Sequence, residues 1–185
     1  MTRRFLILPG YGDSGPMHWQ SLWQAGNPAS RRVVQKDWEH PVREEWVLTL
    51  DRYVQEADGD VVLVAHSLAV LIVPHWIAMA SPSALAKVKA AFMVAVPDPQ
   101  GPEFPVSASG FDSTPFAPMP FPSLLAASSD DPYATLEYSR RCAQAWGSRF
   151  VDLGAIGHVN SQSGLGNWDH GLELLDSLLG IGQPG

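Results

Sequence analysis

The chain has 185 residues and a single cysteine, Cys142, so no disulfide can form within it. That usage fits a reducing compartment, and a cytoplasmic location is the expectation. The first apolar run is short too. After Met1-Thr2-Arg3-Arg4 come only Phe5 to Leu8 before Pro9-Gly10, too few for a signal-peptide core or a membrane span. Basic charge is in short supply: 12 Lys and Arg stand against 19 Asp and Glu, for a net charge of −7. Phosphate contacts need a basic surface, so nucleic acid is excluded as the main partner. Metal and cofactor signatures are lacking as well. No histidine pair has the H-E-x-x-H spacing, Gly10-Tyr11-Gly12 lacks the third glycine of a dinucleotide fingerprint, and no Gly-Lys-Ser/Thr occurs. The expectation is therefore no metal, no cofactor and no membrane partner.

What the chain does have is a core. Hydrophobic residues make up 45% and charged residues 17%, as in a compact folded protein. The length suits one domain over residues 1–185. Apolar runs predict strands at Phe5–Leu8, Arg32–Lys36, Val61–Ala65, Ala90–Val96, Ser123–Ala127 and Arg149–Leu153. Helices are predicted at Trp19–Ala25, Glu44–Ala57, Ser67–Met79, Tyr133–Trp146 and Trp168–Leu179, with Pro74 kinking or shortening the third. Strands alternating with helices imply an α/β fold: a mostly or wholly parallel sheet of about six strands covered on both faces.

One segment breaks the alternation. Pro97 to Pro122 carries eight of the 16 prolines, together with Phe104, Phe111, Phe116 and Phe121. Two readings are open: a functional lid or binding loop, or a surface excursion whose phenylalanines fill gaps beneath it.

The most informative residue is Ser67, in Val61-Val62-Leu63-Val64-Ala65-His66-Ser67-Leu68-Ala69-Val70-Leu71-Ile72-Val73. A polar corner inside so apolar a stretch fits a nucleophile elbow, a strained strand-to-helix turn that lifts a serine Oγ above the sheet edge. Ala65 and Ala69 replace the usual flanking glycines and are the next smallest choice. The plainer reading is a serine that merely caps the next helix.

An elbow serine takes its partners in the chain order serine, acid, histidine, each after a strand. His158, in Gly154-Ala155-Ile156-Gly157-His158-Val159-Asn160, stands after the last strand and is the candidate base. Ser128-Ser129-Asp130-Asp131-Pro132 follows the fifth strand and offers the acid, with Asp131 ranked first, Asp130 second and Asp98 third. The oxyanion hole would use the backbone N–H of Leu68 and that of Tyr11. His18 is placed at the pocket mouth, with Trp19 and Trp38 as apolar walls that bind substrate. His66 is expected to point away from the serine, His40, His75 and His170 to serve surface or packing roles, and Cys142 to be a buried, inert thiol.

These pieces resemble a known family. Leu8-Pro9-Gly10-Tyr11-Gly12 with His18-Trp19, Asp37-Trp38 with Pro41 and Trp46, Ala65-His66-Ser67-Leu68, Ser129-Asp130-Asp131-Pro132, Gly157-His158-Val159-Asn160 and Ser163-Gly164-Leu165-Gly166-Asn167-Trp168 occur together in this order. The set is similar to the YdeN-like serine hydrolases, the group that includes retinoblastoma-binding protein nine. The resemblance implies a three-layer α/β-hydrolase fold with a minimal cap, Ser67 as nucleophile, His158 as base and Asp131, directly before the proline, as acid. The activity expected is cleavage of a small ester, or an amide, through an acyl-enzyme. A hydrolase-fold binding or scaffold protein without turnover, and an acyltransferase, are the alternatives.

Overall fold

The computed structural model describes residues 3–181. Its centre is a six-stranded sheet in the order β2-β1-β3-β4-β5-β6, with every adjacent pair parallel. The strands are β1 (Arg3–Leu8), β2 (Ser30–Arg32), β3 (Asp60–His66), β4 (Val88–Val94), β5 (Ser123–Ala127) and β6 (Arg149–Asp152). The helices are α1 (Trp19–Gly26), α2 (Arg43–Glu56), α3 (Leu68–Ile77), α4 (Pro82–Lys87), α5 (Leu136–Trp146) and α6 (Asp169–Leu178).

Strand side chains alternate between two cores. Leu63, Ala65, Ala91, Met93 and Leu125 face Trp46, Leu50, Val70, Trp76, Cys142 and Trp146 from the α2, α3 and α5 side. Val62, Val64, Phe92, Val94, Leu124 and Ala126 face Trp19 and Trp23 of α1, and Trp168 and Leu175 around α6. This is the expected three-layer α/β-hydrolase architecture, with both faces of a parallel sheet covered. No helix among the described residues is long and apolar enough to cross a membrane.

The differences from the sequence expectations have local causes. β2 lies at Ser30–Arg32, not Arg32–Lys36. Val33 still donates its N–H to the Ile7 carbonyl and is buried, but the chain then leaves the sheet edge. α3 runs through Pro74 and ends at Ile77 rather than Met79, with the Ala78 N–H donating to the Pro74 carbonyl. The short α4 was not anticipated, although Ser81 caps it through the Ala84 N–H and Pro82 opens it, a pairing suited to a helix start. The 97–122 segment holds no helix or strand. Phe111 and Phe121 are buried beneath it, while Phe116 is exposed. It is tied down by a bridge between Val42 and Ser109 and by the Trp146 indole donating to the Pro115 carbonyl. Pro97 and Pro105 also line the cavity around Ser67, so the segment both fills gaps and forms pocket wall.

The strand order fixes where a ligand site belongs. From β1 the chain moves outward to β2, then returns to β3 on the other side, so the β1–β3 boundary is a topological switch point. Ligands of open α/β sheets bind beyond the carboxyl ends of strands at such a point. The loops that leave it there begin with Pro9-Gly10 and with Ser67.

One close contact sets a limit on the α6 layer. A Cβ on Gly171 would lie 2.3 Å from the Trp168 indole, itself buried. Gly171→Ala should therefore lower stability by about 1–3 kcal/mol through overpacking, read as a reduced midpoint in chemical denaturation with β-sheet content unchanged.

Candidate active site

Ser67 joins β3 to α3 with φ 55° and ψ −130°. A non-glycine residue there is strained, at a cost of order 1–3 kcal/mol, and such strain persists only where surrounding structure enforces it. Two features enforce it here. The Ser67 N–H donates to the Val94 carbonyl at 2.9 Å, so the turn is pinned to β4. Flanking Ala65 and Ala69 are buried and small enough for the close strand–helix approach. The Ser67 side chain makes no capping bond to α3, which rules out the plain helix-cap reading. Instead its Oγ lies 2.8 Å from His158 Nε2.

The imidazole is held from its other side. His158 Nδ1 lies 2.9 Å from both Asp131 oxygens. Both side chains are largely buried, with 10% and 4% of their surface exposed. Serine, imidazole and carboxylate thus form one hydrogen-bonded line across residues brought together from 91 and 27 positions apart. A carboxylate accepts only, so the Nδ1 carries the proton and Nε2 is free to accept from the serine hydroxyl.

The two other acid candidates do different work. Asp130 Oδ1 accepts from the Ser128 hydroxyl and from the Gly157 N–H, both at 2.7 Å. Those two bonds hold its carboxyl below the usual carboxylate range. Asp98 uses Oδ1 to accept from the Gln100 N–H in a turn. The chain direction after β5 aims Asp131 at the imidazole and Asp130 at the backbone preceding it.

Ser67 opens into a cavity of about 190 Å³ whose lining includes Gly10, Tyr11, His18, Leu68, Tyr133 and His158. Gly10 is required by space: a Cβ there would stand 2.7 Å from the Ser67 Cβ and 3.0 Å from the His66 carbonyl oxygen. The post-β1 loop therefore passes directly against the elbow. The N–H groups of Tyr11 and Leu68 have no hydrogen-bond acceptor among the described residues.

Trp19 and Trp38 need correction as substrate walls. Neither belongs to the cavity lining. Trp19 is buried in the core beneath it and donates its indole N–H to the Val159 carbonyl at 2.8 Å. Trp38 packs edge-on against Trp46 at 5.5 Å. Both indoles are consumed by core packing and bracing, leaving smaller residues to shape the pocket. His40 and His170 pair with neighbouring carboxylates at the surface, His75 bonds the Ser113 carbonyl, and burial pushes the Cys142 thiol up to about 11.

His66 is the residue that sequence reasoning undervalued. It does not simply turn away: Nε2 bonds the carbonyl oxygen of His158 at 2.9 Å, and its ring lines the same cavity. Burial, reinforced by His158 and His18 nearby, holds its pKa well below the ordinary histidine value. His18 caps α1, its Nδ1 accepting from the Gln20 N–H. Burial, with Arg32 next, lowers His18 to about 4. The only advance signal for His66 was its position beside the elbow serine.

Two predictions follow from this packing. Gly10→Ala should displace the elbow and abolish most turnover while the protein still folds, measured as ester hydrolysis against circular dichroism. The depressed His18 pKa means that the unfolded chain takes the proton first as pH falls. Its contribution is intact above the unfolded value of 6.5 and lost on acidifying toward 4, worth roughly 3 kcal/mol in all. His18→Asn keeps a capping oxygen but cannot titrate, so its denaturation midpoint should fall less steeply than wild type across that range.

A family model described as serine hydrolase matches residues 5–177. Among solved structures, a protein of Pectobacterium atrosepticum assigned to the YdeN-like hydrolases superposes with a TM-score of 0.84 at 29% identity, over 96% of this chain and 90% of that one. The ydeN gene product of B. subtilis gives 0.74 at 19% identity, over 97% and 100% of the two chains. A hydrolase of the alpha/beta superfamily from Xanthomonas campestris pv. campestris gives 0.61 at 19% identity, over 95% and 99%. These last two likenesses are of fold. No curated protein matches the chain significantly. The family match spans the elbow, the Asp-Asp-Pro turn and the histidine loop alike, and the chain belongs to the serine hydrolase family, in its YdeN-like group within the α/β-hydrolase superfamily.

Proposed function

We propose that the protein hydrolyses small carboxylic esters through an acyl-enzyme on Ser67, with His158 as base and Asp131 as the acid that orients it. The observation that carries this reading is the unbroken Ser67–His158–Asp131 hydrogen-bonded line at the wall of a cavity. His158 takes the Ser67 proton as Oγ attacks the ester carbonyl, and Asp131 stabilises the imidazolium. The tetrahedral oxyanion is received by the N–H groups of Leu68 and Tyr11; in support, Gly10, the neighbour of Tyr11, packs closely against Ser67 and the Leu68 N–H, and neither N–H has another acceptor among the described residues. Collapse breaks the carbon–oxygen bond to the alcohol, which leaves with the proton from His158. Water then attacks the acyl-enzyme by the same route in reverse, releasing the acid and restoring Ser67.

The cavity volume limits the acyl group. A cavity of about 190 Å³ is small beside the roughly 300–1,000 Å³ of drug-sized ligand pockets, hence an acyl chain of a few carbons. An adjoining cavity of about 500 Å³ shares Tyr133, His158 and Asn160 and is where the leaving alcohol is placed, next to the imidazole that must protonate it. Amides fit the same geometry. The whole chain acts as one catalytic domain, with the 97–122 segment contributing Pro97 and Pro105 to the pocket wall. A binding protein without turnover has no use for strain at Ser67 or for a buried carboxylate behind its histidine, which supports catalysis.

A fluorophosphonate probe should label wild-type protein and leave Ser67→Ala unlabelled; folded wild type that takes up no label defeats the reading. Asp131→Asn should reduce kcat by about 10³–10⁴-fold, since the amide can donate to Nδ1 and so favour the wrong imidazole tautomer, and it carries no charge to stabilise the imidazolium. Asp130→Asn keeps an oxygen for the Gly157 N–H and should stay within about tenfold of wild type. Across p-nitrophenyl esters, kcat/KM should peak at a short acyl chain and fall beyond it. Product analysis with added alcohols separates hydrolysis from acyl transfer.

A further inference from the structure

The backbone that carries the base is gripped by four side chains from three other segments. Ser128 Oγ accepts from the Ile156 N–H at 3.0 Å, and Asp130 Oδ1 accepts from the Gly157 N–H at 2.7 Å. His66 Nε2 meets the His158 carbonyl at 2.9 Å, and Trp19 Nε1 donates to the Val159 carbonyl at 2.8 Å. Val159 needs such restraint. Its φ of 51° is unfavourable for a β-branched residue, so a free loop would relax away from this conformation and carry the imidazole with it.

Of the four, His66 stands apart because it is the sequence neighbour of the nucleophile. Ser67 Oγ holds the tip of the His158 side chain while His66 holds the main chain of the same residue. Two adjacent residues at the end of β3 thus fix both ends of the base. The tautomer is dictated by the partner. A carbonyl oxygen only accepts, so His66 must carry its proton on Nε2. The ring is 4% exposed and cannot swing out, being packed against the His18 ring at 4.7 Å and the Trp19 ring at 6.0 Å.

We propose that His66 is a positioning residue for catalysis, a neutral imidazole whose Nε2–H locks the His158 carbonyl and so holds the base in register with Ser67 and Asp131. The inference rests on His158 being the base. A buried hydrogen bond that only stabilised the fold would be interchangeable with any packing that restores stability. A register lock demands a donor at one place, because a displacement of about 1 Å at the reacting groups costs about 10²-fold in rate.

The test compares His66→Phe, which keeps ring bulk and removes the donor, with His66→Gln, whose amide N–H reaches about as far as Nε2. Turnover is measured on a short-chain p-nitrophenyl ester and normalised to folded, probe-titrated sites. The Phe variant should lose about 10- to 100-fold in kcat with KM changed less than about threefold, and the Gln variant should recover to within about fivefold of wild type. The low-field proton resonance of His158 Nδ1–H against Asp131 should persist in the Gln variant and broaden or vanish in the Phe variant. Wild-type kcat in the Phe variant, or equal losses in both, overturns the proposal. If the Phe variant does not fold, nitrogen-15 NMR of wild type decides: a proton on His66 Nε2 supports the lock, a proton on Nδ1 overturns it. His158→Gln distinguishes the two readings. If that variant keeps wild-type kcat, the assignment of the base fails. If it is inactive while His66→Phe is fully active, only the role of His66 fails.

Discussion

The strained backbone at Ser67 is the constraint from which the site is built. Its φ of 55° turns the chain sharply between β3 and α3 and lifts the hydroxyl out of an otherwise apolar core. Nothing in the local sequence makes that conformation favourable. It survives because β3 is held on both sides by parallel neighbours and because the Ser67 N–H is anchored to β4. The cost at one residue is met by cooperative packing across the sheet, which is how strain comes to be stored at functional sites.

The same turn organises the loops around it. Gly10 passes so near that a methyl group would collide with the Ser67 Cβ, which brings the backbone after β1 beside the first N–H of α3. From the far side of the sheet, the segments after β5 and β6 meet each other before they meet the serine. Ser128 and Asp130 bind the backbone at 156 and 157, and Asp131 binds the imidazole. The site is therefore a closed set of contacts among four strand ends, with few bonds made by neighbours in sequence. Catalytic geometry of this kind is pre-formed rather than assembled by substrate, as electrostatic stabilisation of a transition state requires.

Neutral histidines are part of that design. His18 and His66 lie beside His158, and burial keeps both short of protonation in the neutral range. A charged ring in either place would oppose the positive charge that the base must acquire during reaction. Their burial as neutral rings costs acid stability, because the unfolded chain takes up those protons first as pH falls.

Sequence alone determined what depends on local pattern. Apolar run lengths marked six strands, Ser67 announced itself as a polar residue at a strand–helix junction, and the order serine, acid, histidine pointed to His158 and left three aspartates, Asp131, Asp130 and Asp98, as candidate acids. It misplaced β2 and passed over α4, because an edge strand of three residues and a six-residue helix carry little periodic signal. Tertiary structure decided the matters that turn on direction. Asp130 and Asp131 are adjacent and chemically alike, and only the path of the chain after β5 aims one at the backbone and the other at the imidazole. Trp19 and Trp38 read as pocket walls until their indoles were found occupied by the Val159 carbonyl and by Trp46. The role of His66 depends on a partner 92 positions away. Side-chain identity is written in the sequence, but the partner it meets is set by how distant strands are brought into register, and that is a property of the fold.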